Sequence, residues 1–150
     1  MKPKVQSALI AAFRLLKRQD FTVQEISTRL EPKFESEVVQ EAIQYLNDKR
    51  LLDDIRVARY AIERNEGRRA IGDQALKEKL ESRGIPSNLI SELFEDVDQD
   101  ELNRAKVLVE AKFSGSQSPG KIARFLYSRG FSEDTIESIL EGIPQPEPAE

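Results

Sequence analysis

The chain has 150 residues, of which 39% are hydrophobic and 33% are charged, so it can bury a shared core and still present a polar surface. It contains no cysteine and no histidine, which excludes disulfides, thiolate nucleophiles, imidazole bases and the commonest zinc ligands. Its formal charge of -4 argues against a protein that mainly coats bare nucleic acid and favours a protein partner.

The first predicted element is an amphipathic helix from Val5 to Lys17. Basic residues precede an apolar stretch there, as in a secretory signal, but Arg14 and Lys17 interrupt the stretch and no small-residue cleavage site follows. The apolar runs of the sequence are too short to cross a bilayer. The absence of cysteine suits a reducing compartment. We therefore expect a cytoplasmic protein with no membrane span.

The second helix has the best-marked start in the chain. Thr22 and Glu25 have the spacing of a capping box, in which each side chain accepts a hydrogen bond from the other residue's backbone N–H. Phe21 and Ile26 flank this box as a hydrophobic staple. A third helix follows, and Ser36 is predicted as its N-cap.

A second set of helices begins after Asp53 and Asp54, with a helix from about Ile55 to Asn65. Two carboxylates could bind a metal or act in acid–base catalysis, but neighbouring side chains point in different directions and no further ligand type lies nearby. We interpret the pair as the N-cap of this helix.

A third set begins with a helix from about Glu101 to Lys112, whose apolar residues recur at helical spacing. Ser118 and Pro119 mark the next helix start, because proline is favoured at the first helical position. Ser132 is predicted as the N-cap of the last helix. The first turn of that helix carries acidic residues, and the helix dipole favours negative charge there.

One short pattern occurs twice: LESRGIP at residues 80–86 returns as LYSRGFS at residues 126–132. In both copies a helix is predicted to end at a glycine in the left-handed conformation, Gly84 or Gly130, after which an apolar residue docks the turn. A weaker copy without the glycine lies at residues 26–46. Such self-similarity is typical of stacked supersecondary units.

These observations predict an all-α fold of three tandem three-helix repeats that form an elongated, curved array. The predicted units are residues 1–50, 51–97 and 98–142, and residues 143–150 are predicted to be a disordered tail rich in proline and glutamate. No segment alternates with a period of two between hairpin turns, so no sheet is expected.

Basic residues are the main candidates for a binding surface, because an arginine can grip a carboxylate or a phosphate with two N–H groups at once. We predict a partner-binding role for two trios near the joints between helices: Arg64, Arg68, Arg69, Lys121, Arg124 and Arg129. The alternative is that scattered basic residues merely keep helix faces solvated. No catalytic, metal-binding or cofactor-binding residues are predicted.

Four segments in this order resemble the RecX family of regulatory proteins: FRLLKRQDFTVQEISTRL, LDDIRVAR, LKEKLESRGI and KIARFLYSRGFSEDTI. The resemblance covers about residues 8–140. Three departures are present: Val57 stands where the family often has an aromatic residue, Lys33 and Phe34 lack an intervening glycine, and GDQAL replaces a stretch that often has the pattern Gly-Pro-x-Arg-Ile.

The resemblance implies a non-enzymatic regulator of the bacterial RecA recombinase. Members of the family bind the RecA filament on DNA and inhibit its ATP hydrolysis, strand exchange and co-protease activity, by limiting filament growth or promoting disassembly. We expect a monomer without cofactors, and single-stranded DNA within the filament is a further candidate contact.

Two other classes of function stay open at this point. The main alternative is a direct DNA-binding helical module without a recombinase partner, since three-helix units resemble helix-turn-helix domains in outline. An enzyme is the third, although no nucleophile and base occur at a telling spacing.

Overall fold

The structure, a computed structural model, describes residues 1–96, 100–114 and 118–143. These ranges contain helices joined by turns and short loops, and no strand. In chain order the α-helices are α1 (Pro3–Leu16), α2 (Val23–Leu30), α3 (Ser36–Asp48), α4 (Asp54–Glu63), α5 (Asp73–Ser82), α6 (Ser87–Asp96), α7 (Glu101–Phe113), α8 (Pro119–Ser128) and α9 (Glu133–Glu141). A short 3-10 helix, Gly67–Arg69, lies between α4 and α5. The predicted all-α class is therefore confirmed, and the predicted tail lies outside the described residues from residue 144 onward.

By its contacts the chain divides into two compact units. The first unit comprises Met1–Tyr60 and Leu80–Leu93, and the second comprises Ala61–Lys79 and Phe94–Glu150. The boundaries fall inside α4, α5 and α6, so each of these helices contributes one part to each unit. The number of repeats and their boundaries stay predictions.

In the first unit, α1, α2 and α3 each turn one apolar face toward a common core. Apolar residues three or four positions apart return to the same side of a helix, which is why the sequence pattern of α1 produces a continuous buried stripe. Burial of each large aliphatic side chain contributes roughly 1.5–3 kcal/mol. The buried core residues are Val5, Ala8, Leu9, Ala12, Phe21, Ile26, Leu30, Val38, Val39, Ala42, Leu46 and Leu52.

In the second unit, α7, α8 and α9 pack around a second core by the same spacing of apolar residues. The rings of Phe113 and Phe125 meet edge to face beside it, with centroids 5.5 Å apart. The buried core residues here are Ala70, Ala105, Leu108, Ile122, Leu126, Phe131, Ile136 and Ile139.

The capping box at the start of α2 is confirmed. The Thr22 N–H donates to Glu25 Oε1 over 2.8 Å, and the Glu25 N–H donates to Thr22 Oγ1 over 3.1 Å. Phe21 and Ile26, the predicted staple, are both buried. Local spacing alone therefore predicted this helix start correctly.

The other predicted caps have mixed outcomes. Ser132 caps α9 by accepting a hydrogen bond from the Thr135 N–H, and Pro119 is the first residue of α8, as predicted. Ser36 as an N-cap is wrong, because Ser36 is already helical and Glu35 holds the extended N-cap conformation without a side-chain cap bond. A cap needs that extended backbone so that its side chain can reach forward to an exposed N–H.

Asp53 has the predicted capping role for α4. Its Oδ1 accepts hydrogen bonds from the Ile55 N–H at 3.0 Å and the Arg56 N–H at 3.2 Å. The Asp54 carboxylate instead accepts a hydrogen bond from the Val23 N–H, a contact within the first unit between residues far apart in sequence.

Candidate partner-binding surface

The two repeated turns have the backbone that the sequence predicts. Gly84 has φ of +87° and Gly130 has φ of +79°, and both lie in the left-handed region. The Ile85 N–H donates to the Leu80 carbonyl oxygen, and the Phe131 N–H donates to the Leu126 carbonyl oxygen. Each turn therefore ends a helix and brings an apolar side chain back onto the core.

In the first unit, this turn docks on the start of α2. The Thr22 Oγ1 donates to the Arg83 carbonyl oxygen over 2.6 Å. The Arg83 guanidinium donates to both carboxylate oxygens of Glu25, at 3.2 and 3.0 Å. The Val23 N–H donates to Asp54 Oδ1 over 3.0 Å. One helix start is thus held by an arginine-glycine turn and by an acidic residue of a later helix.

The second unit contains a corresponding arrangement at the start of α5. The Gly72 N–H donates to the Arg129 carbonyl oxygen over 2.8 Å. The Asp73 N–H donates to Glu101 Oε2 at 3.1 Å, and the Ser132 N–H donates to Glu101 Oε1 at 2.8 Å. Arg104 pairs with Asp73. In each unit, the repeated Ser-Arg-Gly pattern therefore marks a turn that docks on the start of an earlier helix, and we call each such contact a joint.

The carboxylates of these joints have shifted pKa values in two directions. Burial by itself raises the pKa of Glu25, but hydrogen bonds from Arg83 and from the Thr22 N–H bring it below its ordinary value of 4.5. Burial likewise opposes ionisation of Glu101, and the Ser132 and Asp73 N–H groups bring its pKa below 4.5. Both residues therefore favour the charged form.

Asp54 and Asp73 shift the other way. Burial raises the pKa of Asp54, and the nearby charges of Asp53 and Glu25 add to the rise. Burial also raises the pKa of Asp73, although Arg104 opposes it. These aspartates therefore favour the protonated form more than a solvated carboxyl does.

The Arg83–Glu25 pair offers a direct test of the first-unit joint. In a double-mutant cycle with Arg83→Gln and Glu25→Gln, we expect a coupling of about 1 kcal/mol in the free energy of unfolding, because the side chains are only 29% and 27% exposed. The folded-state pKa of Glu25 is lowered, so the stabilisation is complete above pH 4.5 and is lost as the pH falls through the folded-state value.

The matched control is the Lys2–Glu41 pair, whose side chains are 76% and 51% exposed at 3.6 Å. Its coupling should be near zero, since water screens an exposed pair. Equal couplings for the two pairs, or a coupling at Arg83–Glu25 that does not weaken in acid, would contradict the structural role of Glu25.

The first predicted trio lies on the connection between α4 and α5. Arg64 directly follows α4, and Arg68 and Arg69 belong to the 3-10 helix; all three side chains are exposed. Asn65, which is buried, clamps this connection by accepting from the Ile71 N–H at 2.8 Å and donating to the Ile71 carbonyl oxygen at 3.0 Å. The basic residues therefore project from a fixed segment.

Arg68 and Arg69 also line a cavity of about 740 Å³. Its surroundings carry both signs of charge, because Glu63, Glu66 and Asp100 line it as well. This cavity lacks the one-sided charge that would attract an anion, so the trio's candidate role depends on its exposed outer faces.

In the second trio, Arg129 differs from its two companions. It caps the end of α8 and is half-buried, and its Nη1 donates to the carbonyl oxygens of Arg68 and Ala70 at 3.4 and 3.3 Å. Its guanidinium lies 5.0 Å from the centre of the Phe125 ring, with the Lys112 ammonium 4.8 Å from the same centre. Arg129 therefore helps to fix the segment that carries the first trio.

Lys121 and Arg124 are exposed on α8, one turn apart. Side chains three positions apart lie on neighbouring parts of a helix surface, so these two can contact one partner group together. The structure thus joins Arg129 to Arg68 through the backbone, whereas Lys121 and Arg124 form a separate exposed pair.

A further basic cluster in the first unit was not predicted from the sequence. Arg14, Arg18, Arg29 and Lys33 line one cavity between α1 and the end of α2. The signal was present as two pairs of basic residues spaced four apart, in a segment, residues 1–60, that carries a small net positive charge. Sequence spacing does not reveal that the two pairs line the same cavity, because the packing of α1 on α2 decides it.

Two negative findings concern the described residues alone. Within residues 1–96, 100–114 and 118–143, no group of His, Cys, Asp and Glu side chains is arranged to hold a metal ion. In the same part of the chain, no helix has both the length and the apolar character needed to cross a bilayer.

Comparisons of sequence and of structure with known proteins point to the same family. Residues 8–46 match the family described as RecX, first three-helix domain. A regulatory protein RecX of Trichlorobacter lovleyi is 30% identical over 88% of this chain and 92% of its own length. A regulatory protein RecX of Chlorobaculum tepidum is 32% identical, covering 92% of this chain and 89% of the relative.

The fold has a solved counterpart. The crystal structure of RecX from Lactobacillus salivarius superposes with a TM-score of 0.79 and covers 93% of this chain and 96% of that one, at 22% sequence identity. This likeness establishes the shared fold.

Proposed function

Because the chain belongs to the RecX family of regulatory proteins, we propose that it binds the RecA recombinase filament on DNA and inhibits the ATPase, strand-exchange and co-protease activities of that filament. The observation that carries the proposal is the similarity to two regulatory relatives, at 30% and 32% identity, over about nine-tenths of the chain. Action on RecA is the activity that the family resemblance implies.

The distribution of charge favours a filament of protein on DNA, rather than bare DNA, as the target. The chain has a formal charge of -4, and its predicted contact residues are basic side chains set among acidic ones. Such a surface attracts a phosphate backbone weakly by itself, but it can form specific ion pairs with a partner of complementary pattern. The filament offers both protein carboxylates and DNA phosphates to arginine side chains.

Regulation by binding is also what the chain's chemistry supports. With no cysteine and no histidine, the sequence lacks the side chains that most often act as nucleophile and base near neutral pH. We infer that the protein changes the filament's activity through contact, as a monomer and without a cofactor.

Binding to three targets tests the proposal: bare single-stranded DNA, the recombinase alone, and the nucleotide-bound filament, each at low and at moderate salt. We expect the filament to bind most tightly, with an affinity that falls as salt rises, because ion pairs carry much of the contact. Equal binding to bare DNA that added recombinase does not change would overturn the proposal and favour the direct DNA-binding alternative.

The predicted arginine trio has its own test. We expect the triple change of Arg64, Arg68 and Arg69 to alanine to raise the concentration needed for half-inhibition of filament ATPase about tenfold or more. Helical content, measured by circular dichroism, should not change, because all three side chains are exposed.

A triple change of Lys4, Arg59 and Lys106 to alanine removes the same charge from exposed positions elsewhere. This control should inhibit like the unaltered protein. Full inhibition by the arginine triple variant, or an equal loss in the control, would reject the trio as a contact surface.

A further inference from the structure

A basic groove in the first unit has no role in the function proposed above. It lies between α1 and the end of α2 and has a volume of about 410 Å³. We call it the α1–α2 groove, and its lining residues are Ala11, Arg14, Leu15, Arg18, Arg29, Leu30 and Lys33. Three of the seven are apolar and four are cationic, and none is acidic.

The four cations are brought together by the packing of two helices. Arg14 lies in the last turn of α1 and Arg18 follows α1, whereas Arg29 lies in the last turn of α2 and Lys33 follows α2. None of them takes part in an ion pair with another described residue. Like charges that line one groove repel each other, and an anionic ligand would relieve that repulsion.

One of the four cations, Arg29, is held against a neighbouring aromatic ring. The Arg29 guanidinium lies 4.9 Å from the centre of the Phe21 ring, and Phe21 is only 5% exposed. A cation over a buried ring loses little further freedom when it binds a ligand. Arg29 is therefore pre-positioned at the groove edge.

The apolar lining decides which kind of anion fits best. Ala11 and Leu15 are half-buried and keep part of their apolar surface accessible, so an apolar group can be covered between the cationic side chains. A phosphodiester backbone presents no apolar group beside its anions. Nucleic-acid bases stack on exposed aromatic rings, and no aromatic side chain lines this groove.

We propose that the α1–α2 groove binds an acidic peptide segment of a partner protein, with one aliphatic side chain of the peptide against Ala11 and Leu15 and its carboxylates on the four basic residues. Charge complementarity supplies the long-range attraction, and the aliphatic side chain supplies the specificity for a peptide. The proposal stands on the groove alone and holds for whichever partner carries such a segment.

The test uses a short fluorescent peptide in which one leucine is flanked on both sides by glutamates, with binding to the full chain followed by fluorescence anisotropy. We expect saturable binding that weakens about fivefold or more when the leucine is replaced by serine. An oligothymidylate of similar charge should bind more weakly than the leucine peptide. No recombinase or DNA is present with the peptide, so the result is independent of filament inhibition.

The double variant Arg18→Glu/Lys33→Glu should weaken peptide binding about tenfold or more, since both side chains are exposed groove residues. The variant Lys4→Glu/Lys106→Glu makes the same charge change outside the groove and should bind normally. Circular dichroism verifies that both variants fold.

Three results would overturn the proposal. They are absence of peptide binding to the unaltered chain, equal weakening by both double variants, and tighter binding of oligothymidylate than of the leucine peptide. The last result, if lost in Arg18→Glu/Lys33→Glu, would reassign the groove to nucleic acid.

Discussion

Replacement of Gly130 by alanine will lower the free energy of unfolding by about 3–5 kcal/mol. The residue has φ of +79°, where an alanine costs roughly 1–2 kcal/mol in backbone strain. The added Cβ would also overlap the Cβ of Ala75 in the first turn of α5. Retreat of the turn would stretch the 2.8 Å hydrogen bond from the Gly72 N–H to the Arg129 carbonyl. Urea unfolding followed by circular dichroism measures the loss.

Two other glycines separate the backbone effect from the contact effect. Gly67 has φ of +62° with open space around it, so Gly67→Ala should cost only about 1 kcal/mol. Gly142 has φ of -78° and ordinary contacts, so Gly142→Ala should change stability by less than about 0.5 kcal/mol. A loss for Gly130→Ala no larger than for Gly67→Ala would show that the turn does not require close approach to Ala75.

Removal of the Glu101 carboxylate by Glu101→Ala will destabilise the protein by about 2–3 kcal/mol at neutral pH. This carboxylate accepts hydrogen bonds from the backbone N–H groups of Asp73 and Ser132, at the starts of α5 and α9. Both amides would lose a charged acceptor, and hydrogen bonds to charged groups are the stronger ones. The free energy of unfolding across a pH series measures the effect.

The pH dependence follows from the lowered pKa of Glu101. Its stabilising contribution is complete above the ordinary value of 4.5 and is lost as the pH falls through the lower folded-state value. The difference between the unaltered protein and Glu101→Ala should therefore shrink in acid. Glu110→Ala, at an exposed position on the same helix, is the control and should have almost no effect. A pH-independent difference, or equal losses at both positions, would contradict this role for Glu101.

Features built from neighbours in sequence were predictable. The capping box of Thr22 and Glu25 and the left-handed Gly84 and Gly130 depend on atoms only a few residues apart, so residue type and spacing specify them. The error at Ser36 shows the limit even here. Residue type alone does not fix the first residue of a helix to better than one or two positions, and α3 begins at Ser36, one residue earlier than a Ser36 cap requires.

The candidate site was predicted only in part. Arg68 and Arg69 are exposed as the sequence suggested, but Arg129 also serves as a donor to the backbone of the segment that carries them. A pattern of basic residues contains no information about which guanidinium will find a carbonyl oxygen far away in sequence. That choice is made when the turn after α8 packs against the 3-10 helix.

Helix positions, the ends of helices at glycine and the absence of strands from the described ranges follow from the order of residue types, because each depends on hydrogen bonds and apolar spacing within one or two turns. Only tertiary packing brings the Asp54 carboxylate to the Val23 N–H and the Glu101 carboxylate to the starts of α5 and α9. It also brings four basic side chains, far apart in sequence, to one groove. These contacts join residues far apart along the chain, so they exist only after apolar faces have been buried together.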